Sequence, residues 1–311
     1  NIMNKISFVI PCYNSAKTIR DVVNEIITTV QKRKDDYEII LVNDCSTDNV
    51  WEVIKSLGKE NNRIKGICFA KNFGQHSALM AGYNKASGDV VVSLDDDGQT
   101  PANELYSLIN KLNDGYDVVY ASYGHKQHSV ARNMGTKLNN IMCEKLLGKP
   151  RELTITSYFV AKKFVIDEVK KYVNSYAYVP GLVLRVTQNI SSVPVNHRAR
   201  QEGKSGYSFF KLISLWMNGF TAFSVKPLRI STFIGMFVAV IGFLYCIYIC
   251  INKILNPNVP IGWSSTIGVI LLIGGMILFV LGMIGEYLGR VYISLNNSPQ
   301  YVIKEETDID E

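Results

Sequence analysis

A mostly parallel α/β sheet followed by a two-helix membrane hairpin is the architecture this sequence predicts, and three observations predict it. Short apolar runs alternate with amphipathic stretches from residue 3 to about 195, as in strands buried on both faces by crossover helices. Two later runs, Ile230–Ile251 and Thr266–Gly285, contain no Asp, Glu, Lys, Arg or His. Only 19% of the 311 residues are charged, which places part of the chain in lipid.

The strands and helices follow in order. Ile6–Ile10 reads as a strand ended by Pro11, and Thr18–Val30 has helical periodicity. Tyr37–Val42 is a second buried strand closed by Asn43-Asp44, Val50–Leu57 a helix, and Ile64–Phe69 a third strand. His76–Ala86 is a helix closed by Ser87-Gly88, and Val90–Leu94 a strand running into Asp95-Asp96-Asp97. Leu105–Leu112 reads as a helix and Asp117–Ala121 as a strand. Along Ser208–Phe223, Phe209, Leu212, Ile213, Trp216, Phe220 and Phe223 share one helical face. That stretch is either an interfacial helix beside the first span or a surface helix with its apolar face turned inward.

The first uncharged run has 22 residues; as a helix it is roughly 33 Å long, enough to cross a hydrocarbon core. The other reading of the two runs is a pair of buried soluble helices. Pro257, Pro260 and Gly262 break the chain between them. Arg198, Arg200, Lys204, Lys211, Lys226 and Arg229 precede the first run against the single acid Glu202, and the connector carries only Lys253. The positive-inside rule then puts both ends of the hairpin, and the N-terminal part, in the cytoplasm. The predicted division is 1–205 for the α/β unit, 206–229 for a juxtamembrane helix, 230–288 for spans at about 230–252 and 265–286, and 289–311 for a cytoplasmic tail. The acidic end from Lys304 is expected to fray.

Composition excludes several classes. Apolar residues make up 47%, too many for a disordered chain, and the 23 glycines have no collagen period. The six cysteines show no CxxC spacing, so reduced thiols are expected and a thiolate zinc site is not. The start has no basic segment leading into an apolar one, so no secretory signal is expected. Neither G-x-G-x-x-G nor GxxxxGK[ST] occurs, and nothing signals a nucleic acid.

Three polar clusters follow predicted strands directly: Pro11-Cys12-Tyr13-Asn14, Asn43-Asp44-Cys45-Ser46-Thr47-Asp48 and Asp95-Asp96-Asp97-Gly98-Gln99. In a parallel sheet they converge on the carboxyl edge, where ligands bind. Carboxylates side by side at Asp95 and Asp97 repel each other unless a hard cation lies between them. Oxygen ligands suit Mg²⁺ or Mn²⁺, which would bridge to a diphosphate.

At these residues the sequence resembles a known family. Ser7-Phe-Val-Ile-Pro-Cys-Tyr-Asn14, Val42-Asn-Asp-Cys-Ser-Thr-Asp48 and Asp95-Asp-Asp-Gly-Gln-Thr-Pro101 are similar to the signatures of glycosyltransferase family 2, with its GT-A fold. Phe69-Ala-Lys-Asn-Phe-Gly-Gln-His76 and Ala78-Leu-Met-Ala-Gly82 resemble the polyprenyl-phosphate branch, which includes dolichol-phosphate mannose synthase and bactoprenol glucosyltransferases. Val225-Lys-Pro-Leu-Arg229 and Gly285-Glu-Tyr-Leu-Gly-Arg-Val-Tyr292 resemble its two-span bacterial members.

The resemblance implies a nucleotide site at Pro11, Tyr13, Asn14, Asp44, Lys71, Asp95 and Asp96, and metal and diphosphate ligands at Asp95, Asp97 and Gln99. It implies phosphate-binding cations at Arg132, His197, Arg200 and Lys204; lipid anchoring is the other reading of these. The implied partners are a nucleotide sugar (a UDP-sugar such as UDP-glucose or UDP-GlcNAc), polyprenyl phosphate, a bilayer and further copies of the chain. The implied location is a bacterial inner membrane. Ser15, Ser157 and Gly206 stand where the family has glutamate, aspartate and lysine. Two rival readings remain: another lipid or glycan acceptor, and a non-catalytic nucleotide-binding scaffold.

Overall fold

The computed structural model describes residues 5–123, 144, 153, 155–175, 177–196, 226–256, 262–296 and 298–307. Arg132, His197, Arg200, Lys204 and the expected helix at 208–223 lie outside the described residues. The chain divides into two compact units, Asn1–Leu215 with Asn297–Glu311, and Trp216–Asn296.

In the first unit the strands are β1 (Ile6–Cys12), β2 (Tyr37–Asn43), β3 (Ile64–Phe69), β4 (Val90–Ser93), β5 (Val118–Tyr123), β6 (Phe159–Lys162), β7 (Ile190–Val195) and β8 (Ile303–Glu306). They form one sheet in the order β7-β5-β6-β4-β1-β2-β3-β8. β1 pairs in parallel with both β2 and β4, β2 with β3, and β5 with β7. Two strands run the other way: β6 between β4 and β5, and β8 against β3. The helices are α1 (Ile19–Gln31), α2 (Val50–Glu60), α3 (Gln75–Lys85), α4 (Leu105–Asn113), α5 (Lys163–Val169) and α6 (Val179–Val186). The mostly parallel sheet read from the sequence is therefore present.

Alternation along β1 builds the two faces of the core. Ile6, Phe8, Ile10 and Cys12 join a cluster with Val22, Val23, Ile26 and Val30 of α1, Ile54 of α2 and Leu108 of α4. Val9 faces the other way, where α3 lies. A methyl on Gly82 of α3 would collide with Val9 Cγ1, so glycine there lets the helix lie directly on the sheet.

Pro11 does not end the first strand as expected; it pairs with Val42 inside β1. The reason is the direction its nitrogen faces. Val9 O accepts the Leu94 N–H, so odd-numbered residues of β1 face β4. The ladder with β4 stops at Val9 and Ser93, so at Pro11 no ladder bond is lost.

Part of the C-terminal stretch expected to fray is instead a strand, Ile303–Glu306; residues 308–311 lie outside the described residues. β8 covers the open edge of β3, and its side chains are held on both faces. Trp51 Nε1 of α2 donates to Glu305 at 2.9 Å, and Lys85 of α3 pairs with Glu306 at 2.6 Å.

At the amino edge of the sheet, Glu38 is a buried carboxylate with many donors. Ser7 Oγ donates at 2.6 Å, Ser87 N and Oγ at 2.7 and 2.8 Å, and the Lys5 and Lys65 ammoniums lie at 3.2 and 3.1 Å. Burial alone would raise its pKa, but these hydrogen bonds outweigh it and bring the carboxyl from 4.5 down to about 2.

The second unit contains α7 (Lys226–Leu255) and α8 (Trp263–Leu295), which contact each other. Their described apolar side chains are largely exposed, among them Phe233, Phe237, Phe243, Leu278 and Phe279. A water-soluble unit of this size would bury them. Among the described residues, Leu272–Gly289 of α8 is long and apolar enough to cross a membrane, and α7 carries a shorter apolar stretch, Thr232–Tyr245.

Glu38→Gln is expected to destabilise the protein by about 3 kcal/mol at pH 7. Because the folded-state pKa is depressed, this contribution is complete above the ordinary value of 4.5 and is lost as pH falls toward about 2. Thermal unfolding of both proteins across that range should show the two midpoints converging in acid.

Candidate active site

The site lies where the strand order reverses. β1 sits between β2 and β4, so the crossovers on its two sides lead in opposite directions and leave a crevice at the carboxyl ends. Each of the first four strands is followed by a turn with one residue at positive φ: Asn14 (54°), Cys45 (52°), Gly74 (90°) and Gly98 (72°). Asparagine and glycine take that region readily; Cys45 does so under strain.

The turns after β1 and β2 are tied to each other. Asn14 N donates to Ser46 Oγ at 3.0 Å, and Asn14 Oδ1 accepts Thr47 N at 2.9 Å. Ala16 N donates to Asp48 at 2.8 Å. Tyr13 is left 51% exposed at the crevice, an aromatic face open to a planar ligand. Its N–H bridges the crevice to Asp96 Oδ2 at 2.9 Å. Asp96 is held above the usual carboxylate range chiefly by burial.

Asp44 is occupied locally. Its carboxylate accepts the N–H groups of Phe73 at 2.7 Å and Gly74 at 2.8 Å, and its carbonyl accepts Asn72 Nδ2 at 3.1 Å. Burial raises its pKa despite these bonds. The carboxylate therefore shapes the loop of residues 70–75. Lys71 belongs to that loop, with its ammonium 4.9 Å from the centre of the Phe73 ring.

Asp95 is gripped from two sides. Gln75 Nε2, at the start of α3, donates to Oδ1 at 3.0 Å, and Ser157 Oγ donates to Oδ2. Burial, then the charges of Asp97 and Asp96, push its pKa up to about 6, against the lowering effect of the two donors. Asp97 Oδ1 accepts Gln99 N at 3.0 Å, which closes the turn. Tyr123, at the end of β5, has its pKa raised by burial and by the charges of Asp95 and Asp97, so its hydroxyl belongs to the same neighbourhood.

Pro11, Tyr13, Asn14, Asp44, Asp95, Asp96, Asp97 and Gln99 thus lie on or just beyond the carboxyl ends of β1, β2 and β4, where the sequence reading expects the three clusters, and Lys71 follows β3. Gln75 is a contact that reading missed. Its only signal is its place directly after Gly74 at a helix start. Among the described residues no three His, Cys, Asp or Glu side chains are grouped to hold a metal ion.

The profile of glycosyl transferase family 2 matches residues 7–169, which span β1 from its second residue through β6 and include all the clusters above. The chain belongs to glycosyltransferase family 2. A second profile, the GtrB C-terminal hairpin, matches residues 226–291, so this family 2 enzyme carries its glycosyltransferase unit and a C-terminal helical hairpin in one chain.

The chain is 31% identical over 309 residues to undecaprenyl-phosphate 4-deoxy-4-formamido-L-arabinose transferase of Proteus mirabilis (strain HI4320), covering 97% of this chain and 94% of that protein. It is also 31% identical over 308 residues to the uncharacterized glycosyltransferase YkcC of Bacillus subtilis (strain 168), covering 98% and 94%. Among solved structures, mannosyl-3-phosphoglycerate synthase from Rubrobacter xylanophilus matches with a TM-score of 0.55 at 18% identity, over 73% of this chain and 74% of that one. Glucosyl-3-phosphoglycerate synthase from Mycobacterium tuberculosis, in complex with Mn²⁺, uridine diphosphate and phosphoglyceric acid, matches with a TM-score of 0.53 at 18% identity, over 69% and 75%. These two likenesses establish the GT-A fold.

Asp44→Ala leaves the Phe73 and Gly74 N–H groups without their acceptor. The expected loss is about 2–4 kcal/mol of stability, measured by urea unfolding of the full chain in detergent. Asp48→Ala also leaves two backbone N–H groups, those of Ala16 and Val50, without their acceptor, but Asp48 is exposed where Asp44 is buried, so it should cost less.

Proposed function

We propose that this enzyme moves one sugar from a nucleotide diphosphate donor, a UDP-sugar, to polyprenyl phosphate at a membrane surface, with inversion at the anomeric carbon. One observation carries the reading: Asp95, Asp96 and Asp97 crowd the crevice, and Asp95 is raised to about 6 partly by its neighbours' charge. A site that concentrates negative charge in this way favours a cation. The near-full-length likeness to an undecaprenyl-phosphate sugar transferase supports the acceptor class.

The donor set fits a hard divalent ion. Asp95 and Asp97 supply carboxylate oxygens, Gln99 an amide oxygen, and a diphosphate would complete the set. Mg²⁺ or Mn²⁺ bound there would neutralise the charge that develops on the departing diphosphate. Tyr13 offers its ring to the base, and the loop holding Lys71 brings a cation near the nucleotide. Gln75 and Ser157 keep the Asp95 carboxylate in a fixed orientation, a positioning effect.

The chemistry needs no strong base. A lipid monophosphate has its second pKa near about 6 and is largely dianionic at neutral pH. One of its oxygens attacks the anomeric carbon, the bond to the donor's β-phosphate oxygen breaks, and the nucleoside diphosphate leaves. Ser157 donates its hydroxyl to Asp95, so it is not the group that would take a proton. Arg132, His197, Arg200 and Lys204 are proposed to hold the acceptor phosphate beside the bilayer. Both helices of the hairpin are proposed to cross a bacterial inner membrane, with the sheet unit on the cytoplasmic side and several copies assembled.

Asp95→Asn and Asp97→Asn should each abolish transfer while leaving the circular dichroism spectrum unchanged; retained turnover in both would sink the cation assignment. Protons and the cation compete for Asp95. The Mn²⁺ concentration giving half-maximal turnover should therefore rise as pH falls through about 6, the value to which Asp95 is raised. Incubating the protein with UDP-sugars and undecaprenyl phosphate should yield a lipid that mild acid cleaves, seen by thin-layer chromatography. Release of UDP that does not depend on the lipid phosphate would refute this acceptor.

A further inference from the structure

The C-terminal strand does more than close a sheet edge. Just before β8, Tyr301 lies flat on Phe69, with ring centroids 5.3 Å apart and planes 8° from parallel. Phe69 is buried at the end of β3, and its ring meets Phe73 edge-on at 5.7 Å. Phe73 sits in the 70–75 loop and donates its N–H to Asp44. The Lys71 ammonium lies over the same Phe73 ring. Tyr301 is itself fixed: its hydroxyl accepts Asn84 Nδ2 of α3 at 2.9 Å, and the next residue, Val302, accepts the Ala70 N–H at 2.9 Å.

We propose that Tyr301 is a positioning residue for the nucleotide-binding loop, acting through the Tyr301–Phe69–Phe73 ring series. The inference rests on the reading that residues 70–75 border the nucleotide. Two sets of contacts from the same segment reach different places. Glu305 holds Trp51 on α2, on the face away from α3. Tyr301 and the Val302 carbonyl reach the first residues of the loop. The segment is therefore anchored at one end and applied to the donor site at the other. Ring stacking confers direction as well as adhesion, so Tyr301 restricts how the Phe73 ring, and the backbone that Asp44 grips, can lie. One aromatic contact joins residues 232 apart in sequence and the other residues four apart, so the segment before β8 shapes a loop formed early in the chain.

The test uses the full chain in detergent, with UDP and Mn²⁺ as the probe. Tyr301→Ala is expected to weaken UDP binding, measured by calorimetry, by roughly three- to tenfold, the worth of one aromatic pair. Amide hydrogen exchange across residues 70–75 should rise in the same variant. Tyr301→Phe, which keeps the ring and loses the hydroxyl, should restore most of the affinity. Trp51→Phe, which releases Glu305, should leave UDP binding within about twofold of the unaltered protein. Tyr301→Leu keeps apolar volume without a stacked ring and stands in if the alanine variant does not fold. Unchanged exchange at 70–75 in the alanine or leucine variant would overturn the proposal. So would an equal loss of UDP affinity in Trp51→Phe, which would mark the effect as general loosening of the edge. If the unaltered chain binds no UDP, the nucleotide reading fails, while the exchange comparison still decides the coupling.

Discussion

Hydrogen-bond donors without charge hold three aspartates at the mouth of this sheet, and the rest of the site depends on that arrangement. Asp44 is held by two backbone N–H groups, Asp96 by one, and Asp95 by a hydroxyl and a carboxamide. Neutral donors orient a carboxylate without cancelling its charge. The crevice thereby gathers three carboxylates held in fixed directions by uncharged partners.

The opposite edge of the same sheet handles a carboxylate in the other way. Glu38 has two ammonium partners besides its hydroxyl and amide donors, and its pKa falls where those of Asp95, Asp96 and Asp44 rise. Burial acts on all of them in the same sense. What differs is the number of donors and the neighbouring charge: Glu38 is lowered by the Ser7 hydroxyl, the Ser87 N–H and hydroxyl and the Lys65 ammonium, whereas Asp95 has two donors and is raised further by the charges of Asp97 and Asp96. One end of the sheet is neutralised and serves to hold β1, β2, β3 and the turn before β4 together; at the other the carboxylates have only uncharged donors.

Much of this was legible in the residues. The five strands from Ile6 to Tyr123 are mostly apolar runs, interrupted near their starts by Ser7, Glu38 and Lys65, and such runs have few alternatives to a buried strand. The polar clusters followed because a parallel sheet places all its strand ends together. What escaped the sequence reading depends on contacts between distant segments. Phe159–Lys162 is four residues long and reads FVAK, too short for any period, and only its place between β4 and β5 makes it a strand. Ile303–Glu306 reads as a charged tail because an edge strand has no burial requirement on its outer side. Gln75 reaches Asp95 from a different loop, and sequence proximity carries no trace of that contact.

The bare face of α3 at Gly82 has an outcome at the other end of that helix. Since no side chain separates Gly82 from Val9, the helix axis rests as near the sheet as a backbone can lie. Its first residue, Gln75, is brought down with it to the rim of the crevice. A rigid rod seated this closely acts as a lever: lifting it by the thickness of one methyl group would tilt its leading end and draw the Gln75 carboxamide away from Asp95. The reach of the side chain beside Asp95 is thus calibrated by an atom missing two turns further along.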